Sequence, residues 1–208
     1  MADESSATFP VDPVDEDTLH SEENISLMIG KVAALESFLN LATKNCSFEE
    51  FVREVLVTIM NAVNSEAGSI LELDQNNNSF FFRAVVGSSS DQLMAVSIPS
   101  GQGIVGHVAE SKMPVVIDDV SDNRIHLGAI SKVVEFEARN LAALPIVIRG
   151  RMFGVLELLN RMGEKTFTSS DVEFLTYLCD MASKTIEIRL MIAWSRAQFG
   201  EATQGLAA

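Results

Sequence analysis

The stretch 140–160, NLAALPIVIRGRMFGVLELLN, constrains this chain more than any other. Residues 141–148 are apolar throughout and 152–159 nearly so, which predicts two strands covered on both faces rather than one face left to water. Arg149 and Gly150 between them predict a two-residue turn, so the strands form a hairpin in the middle of a sheet. With that turn Ile148 faces Arg151 and, counting back, Pro145 falls opposite Gly154. A proline that cannot donate to the ladder beside a glycine with no side chain predicts a local bend, which either shapes a cavity or merely twists the sheet.

The 208 residues, 47% of them apolar, are enough for one sizeable core, and one domain with helical and disordered flanks is expected. The amino terminus is acidic where a signal peptide needs a basic region, and no apolar run approaches the roughly 20 residues of a spanning helix. The expected location is therefore cytoplasmic, with no membrane partner. Cys46 and Cys179 stand far apart in helical contexts, which predicts two buried small hydrophobes and neither a disulfide nor a zinc site.

A formal charge of −14 disfavours nucleic acid and anionic membrane as partners, because like charges meet at long range. The charge is uneven. Residues 1–23 carry Asp3, Glu4, Asp12, Asp15, Glu16, Asp17, Glu22 and Glu23 without a Lys or Arg, and with Pro10 and Pro13 they read as a disordered acidic tail. Between 118 and 165 acids and bases balance: Asp118, Asp119, Asp122, Glu135, Glu137, Glu157 and Glu164 meet Arg124, Lys132, Arg139, Arg149, Arg151, Arg161 and Lys165. An anionic small ligand is compatible with that segment.

A first helix is expected over 24–46, where Ile25, Met28, Val32, Leu35, Leu39 and Ala42 alternate three and four apart; a heptad seam and an ordinary core helix both fit. Ser47 with Glu50 three residues on predicts the N-cap of a second helix, whose apolar side carries Phe48, Phe51, Val52, Val55, Leu56, Ile59 and Val63. Residues 67–87 predict a β-hairpin turning at 76–78, and 94–98 a short strand ended by Pro99. Gly101, Gly103 and Gly106 spell G-x-G-x-x-G, but Pro114 ends the following helix after about two turns and 115–117 reads as a strand, so the glycines serve tight packing rather than a dinucleotide. The long connection 118–139, with a short helix expected over 130–136, has the mixed polar, charged and aromatic character of a functional loop. In the final helix Val172, Leu175, Cys179, Ala182 and Ile186 form one apolar stripe and Phe174, Leu178, Met181, Ile188 and Ile192 a second. One stripe faces the sheet; the other faces the first helix or a second copy of the chain, so a homodimer through the terminal helices is expected. Residues 200–208 read as a frayed end.

In order, the 67–87 hairpin, GIVGHVAESKMPVVIDDVSDNR, RNLAALPIVIRGRMFGVLELLNR and FTSSDVEFL resemble the GAF domain family of small-molecule sensors, over about 48–190, with the domain taken as 47–190 and 191–208 as helix end and tail. The resemblance implies an α+β fold: an antiparallel sheet of five or six strands with helices on both sides, long terminal helices, and a ligand cavity roofed by the short helices and the long connection. It is closest to the cyclic-nucleotide-binding members found in phosphodiesterases and adenylate cyclases. Their Asn-Lys, Phe, Asp-Glu signature is matched by Asn160, Arg161, Phe167 and Asp171, with Arg for Lys and Val172 in place of Glu. Those four are implied to support the pocket through an Arg161–Asp171 ion pair.

Candidate ligand contacts in or beside the long connection are Asp119, Ser121, Arg124, Phe136, Arg139 and Asn140; Phe136 could stack on a purine, and Arg124 or Arg139 could meet a phosphate. No catalytic constellation, metal or cofactor is expected. His20, His107 and His126 are isolated, neither cysteine fits the pocket thiols of the methionine sulfoxide-reducing members, and Asp118 and Asp119 point to opposite faces of a strand. The chain reads as a small-molecule sensor, with a cyclic nucleotide as candidate ligand and a separate signalling effector protein as partner. The alternative is a dimeric adapter with no exchangeable ligand.

Overall fold

The computed structural model describes residues 16–87, 90–120 and 137–204. Helices open and close the chain, and strands fill its middle. α1 (Glu16–Thr43) and α2 (Phe48–Val63) precede β1 (Ser65–Asp74) and β2 (Ser79–Val86); a helical turn α3 (Ser90–Leu93), β3 (Ser97–Pro99), α4 (Gly103–Ser111) and β4 (Val115–Ile117) lead to β5 (Leu141–Ile148), β6 (Arg151–Arg161) and α5 (Ser169–Gln204).

Local chemistry sets several of these boundaries. The Ser47 hydroxyl accepts from the Glu50 amide and starts α2, and Asn64 ends it in the left-handed region at φ 52°. Asp74 Oδ1 accepts from the amides of Asn76 and Asn77, which closes the β1–β2 turn. The third strand begins at Ser97 rather than 94, because the chain after α3 is still turning where Val96 donates to the Leu93 carbonyl. At this sheet edge Pro99 is tolerated as a strand residue. Gly106 belongs to close packing, since a Cβ there would lie 2.4 Å from the backbone of Gly101.

All strands pair antiparallel in the order β3-β2-β1-β6-β5-β4, so the hairpin of β5 and β6 lies inside the sheet. Ile148 faces Arg151 as expected, but Pro145 faces Val155 and not Gly154. Phe153 is the extra residue of a bulge that shifts the register between Ile146 and Val147. Gly154 answers instead to β1 on its other side: a Cβ there would sit 2.0 Å from the Leu71 carbonyl oxygen.

The sheet has two apolar faces. One carries Ile70, Ala84, Ala142, Leu144, Leu156 and Leu158 against α2, α5 and the Ala34, Phe38 and Leu41 side of α1. The other carries Leu71, Phe80, Phe82, Leu141, Ala143 and Val155 against Ile104, Val105 and Val108 of α4.

Both terminal helices are longer than their sequence reading. α1 starts at Glu16, not Asn24, because both prolines lie upstream and the glutamates that follow are good helix formers. α5 runs through Gly200 to Gln204; one interior glycine costs only about 1 kcal/mol. The helices lie side by side and run the same way: Gly30 meets Phe174, Lys31 pairs with Glu173, and Arg189 donates to the carbonyls of Lys44 and Cys46. The seam residues Ile25, Met28, Val32, Leu35 and Leu39 all face outward, and the core takes Ala34, Phe38, Leu41 and Ala42. Residues 1–15, 130–136 and 205–208, read as tail, short helix and frayed end, lie outside the described residues. Among the described residues no helix is long and apolar enough to cross a membrane.

Only one cysteine is fully buried. Cys179 lies in the core of α5, where burial pushes its thiol up to about 12, while Cys46 is half-buried beside Arg189. A thiol reagent at pH 8 is therefore expected to label Cys46 alone in the folded protein and both cysteines in denaturant, counted by intact mass. Gly154→Ala is expected to destabilise the fold by about 3 kcal/mol in urea unfolding, since a rigid backbone carbonyl occupies the space the methyl needs.

Candidate functional site

Alternation along β6 sends Leu156 and Leu158 to the helical face and Val155, Glu157 and Leu159 to the face covered by α4. Glu157 thus stands on an otherwise apolar floor near the centre of the sheet. Its partners across the ladders are Ser69 on β1 and Ala143 on β5, so both flanking positions carry small side chains. Glu157 is 6% exposed, and among the described residues its carboxyl has Ser69 Oγ as hydrogen-bond partner, at the outer limit of 3.5 Å. Burial lifts its pKa from 4.5 to about 7, with the serine bond opposing the shift. A carboxyl titrating near neutrality between a serine and an alanine can accept from a ligand N–H when ionised and donate when protonated.

In the sequence Glu157 stands out only as one of the acids in the charge balance of 118–165. The signal for it is one acid inside a run whose apolar character predicts burial on both faces.

A second cluster lies where β5 and β6 leave the sheet, and it ties both ends of the 121–136 connection to the loop before α5. Asn160, fully buried at φ 57°, accepts from the Arg139 amide and donates to Glu66 and to the Glu137 carbonyl. Asn140, also buried, donates to the Lys165 carbonyl and accepts from the Arg161 amide. On the entry side Val120 donates to the Arg139 carbonyl, and Asp118 accepts from Thr166. Arg161 Nε donates to Asp171 Oδ2 at 3.1 Å, an oxygen that also accepts from the Thr168 amide and hydroxyl. The Thr168 hydroxyl accepts in turn from the Asp171 amide, an N-cap at the start of α5. Phe167 is buried in the helical-face core beneath this cluster.

Asn160, Arg161, Phe167 and Asp171 are therefore brought together as neighbours, with Asn140 in the same brace. Arg139 lies beside it, its guanidinium paired to Glu66 at 2.9 Å. Asp119 is exposed just beyond β4. Ser121, Arg124 and Phe136, with His126, lie outside the described residues. His107 is exposed on α4. Both thiols lie on the helical side of the sheet, across it from Glu157. Among the described residues no group of three or more His, Cys, Asp or Glu could hold a metal ion.

A model of the GAF domain family matches residues 47–186. The chain is 23% identical over 154 residues to the Nif-specific regulatory protein of Azospirillum brasilense, covering 71% of this chain and 24% of that protein. It is 26% identical over 156 residues to the dual 3',5'-cyclic-AMP and -GMP phosphodiesterase 11A of Takifugu rubripes, covering 70% and 17%. The chain thus spans a quarter or less of these relatives. Among solved structures, the GAF domain from a phosphoenolpyruvate-protein phosphotransferase of Coxiella burnetii superposes with a TM-score of 0.66 at 19% identity, covering 83% of this chain and 98% of that one.

The raised pKa of Glu157 fixes the sign of a stability effect. Between pH 4.5 and about 7 the unfolded chain releases this proton while the folded chain keeps it, so this group makes stability fall as pH rises, by on the order of 3 kcal/mol. Glu157→Gln is expected to match the parent near pH 4.5 and to exceed it above pH 7 in urea unfolding followed across that range.

Proposed function

Because this chain belongs to the GAF domain family, we propose that it is a regulatory module that binds a small molecule over the Glu157 face of its sheet, without catalysing a reaction on it. Glu157 carries this reading. A buried carboxyl whose hydrogen bonding among the described residues is one long contact to Ser69 is costly on an apolar floor, and a ligand donor that reaches it removes that cost. A cyclic nucleotide is the candidate ligand: a purine edge supplies N–H donors to the carboxyl. Similarity to a phosphodiesterase named for cyclic AMP and cyclic GMP supports this choice. So does the cluster of Asn160, Arg161, Phe167 and Asp171 that braces the end of β6.

The brace gives ligand binding a mechanical outlet. Arg161 reaches the cap of α5 directly through Asp171, and the 121–136 connection is tied to the same loop at both ends. A change at the α4 face is transmitted to α5 and its neighbour α1, and from there to a separate signalling effector in a homodimer. Two free cysteines accord with a cytoplasmic site of action.

The second reading is a dimeric adapter with no exchangeable ligand. It is favoured by the near-complete burial of Leu71, Phe80, Phe82, Ile104, Val105 and Val108 among themselves, and by Val172 where the cyclic-nucleotide signature has Glu. Thermal unfolding against millimolar cyclic GMP, cyclic AMP and their linear monophosphates separates the two. A ligand at about 100 times its Kd stabilises by about 2.7 kcal/mol, which for a chain of this size raises Tm by roughly 5–10 °C. The sensor reading expects such a shift with a cyclic nucleotide and its loss in Glu157→Gln. Absence of any shift, together with no retained small molecule in native mass spectrometry, leaves the adapter.

A further inference from the structure

We propose that the β5–β6 turn, with the end of α4 and the adjoining face of α5, is a docking surface for an acidic segment of a partner protein. This names a surface for the effector of the preceding reading and rests on that reading for the effector, but not for the ligand.

The chain carries a charge of −14, yet this end of the sheet is cationic. Arg149 and Arg151 flank Gly150 at the turn, and Lys112, the C-cap of α4, donates from Nζ to the Gly150 carbonyl at 3.0 Å. All three side chains are on exposed residues. Arg149 is paired to Glu187 of α5 and still 68% exposed, and among the described residues Arg151 has neither ion pair nor hydrogen bond. Glu110, the acid nearest Lys112 in sequence, turns its Oε1 back to Gly101 at the start of α4.

Two of these cations stand where the backbone favours other residues. Lys112 has φ 54° and Arg149 φ 49°, left-handed values that glycine and asparagine take easily and long side chains rarely do. Each is also anchored by its own bond, so the surface offers preset charges and spends less entropy in ordering them on contact. Apolar surface adjoins the charge. Arg149 reaches Met191 Sδ at 3.5 Å, and Glu187, Met191 and Trp194 follow one another by four and three residues along one face of α5. Met191 is 53% exposed, Trp194 65%, and Met113, next to Lys112, 63%. Arginine, methionine and tryptophan are the types concentrated at protein contacts.

Charge complementarity identifies the occupant. At physiological ionic strength a charge is felt over about 8 Å, so a short acidic segment meets these cations without meeting the acids elsewhere on the chain. A nucleic acid or an anionic membrane extends over many such lengths and faces the net negative charge. Carboxylates of the segment pair with Arg151 and Lys112, and an apolar side chain among them covers Met191 and Trp194. Residues 190–204 of α5 run on past the end of α1 at this corner, so the occupant grips the helix that leaves the domain. Arg151 and Glu157 lie about 20 Å apart along β6, which keeps docking and ligand binding in separate places.

Trp194 is the chain's single tryptophan, so its emission reports the surface directly. The whole chain is titrated, with no small molecule added, with a short peptide of glutamates around a leucine and a phenylalanine. The emission is expected to move to the blue and saturate. Its dissociation constant rises about tenfold in Arg151→Glu and stays at the parent value in Lys165→Glu, an equal charge change beside Asn140 at the other end of the sheet. Both residues are exposed, so circular dichroism and the urea midpoint are unchanged in either variant. No saturable shift, or equal weakening by the two variants, overturns the surface. Inorganic polyphosphate bound as tightly as the peptide reveals a site for any anion and overturns the acidic partner. Emission that moves to the blue with chain concentration alone gives the surface to a second copy, and overturns the partner as well. The Tm shift with cyclic nucleotides is read separately, so failure of either measurement leaves the other reading standing.

Discussion

β6 is held from both sides and covered on both faces, and the rest of the domain is built around that confinement. β1 and β5 occupy its two hydrogen-bonding edges, α2 and α5 cover one face, and α4 covers the other. The closest approach is at Gly154, where the Leu71 carbonyl of β1 occupies the place of a side chain. Bulges near this point, in the β1–β2 ladder at Ile70–Leu71 and in the β5–β6 ladder at Ile146–Val147, let these four strands twist past one another without losing register further along.

Confinement gives Glu157 its character. An acid on a half-exposed strand would be an ordinary solvated group, whereas two positions from Val155 on a strand with no exposed face it is desolvated, and its proton is held to near neutrality. The two faces of the sheet consequently differ in kind. The helical face is filled by large aliphatic and aromatic side chains; the other has a titratable group between a serine and an alanine at its middle.

The asparagine brace joins this face to the exterior. Asn140 and Asn160 are buried amides with partners on both their donor and acceptor atoms, the condition under which buried polar groups fix one geometry rather than weaken a core. Through Arg161 and Asp171 that geometry extends into the first turn of α5, and α5 in turn carries α1 along its length. The outward apolar line on α1 therefore belongs to the same continuous body as the site.

The sequence by itself determined the antiparallel hairpin, the order of elements, the cap of α2 at Ser47 and the inward stripe of α5, because each follows from periodicity or from a side chain bonding its own neighbours. The Asn160, Arg161, Phe167 and Asp171 group was legible as well, through its resemblance to a known signature. Other features were decided by contacts between residues far apart in the chain. The pairing of Gly154 with Ile146 depends on a bulge at Phe153, and the chemistry of Glu157 depends on which strands flank it. The outward turn of Ile25, Met28 and Val32 depends on α5 taking the opposite side of α1. Local patterns state that a helix or strand has an apolar side; only packing decides what that side meets, since burial is a property of the neighbours and not of the residue.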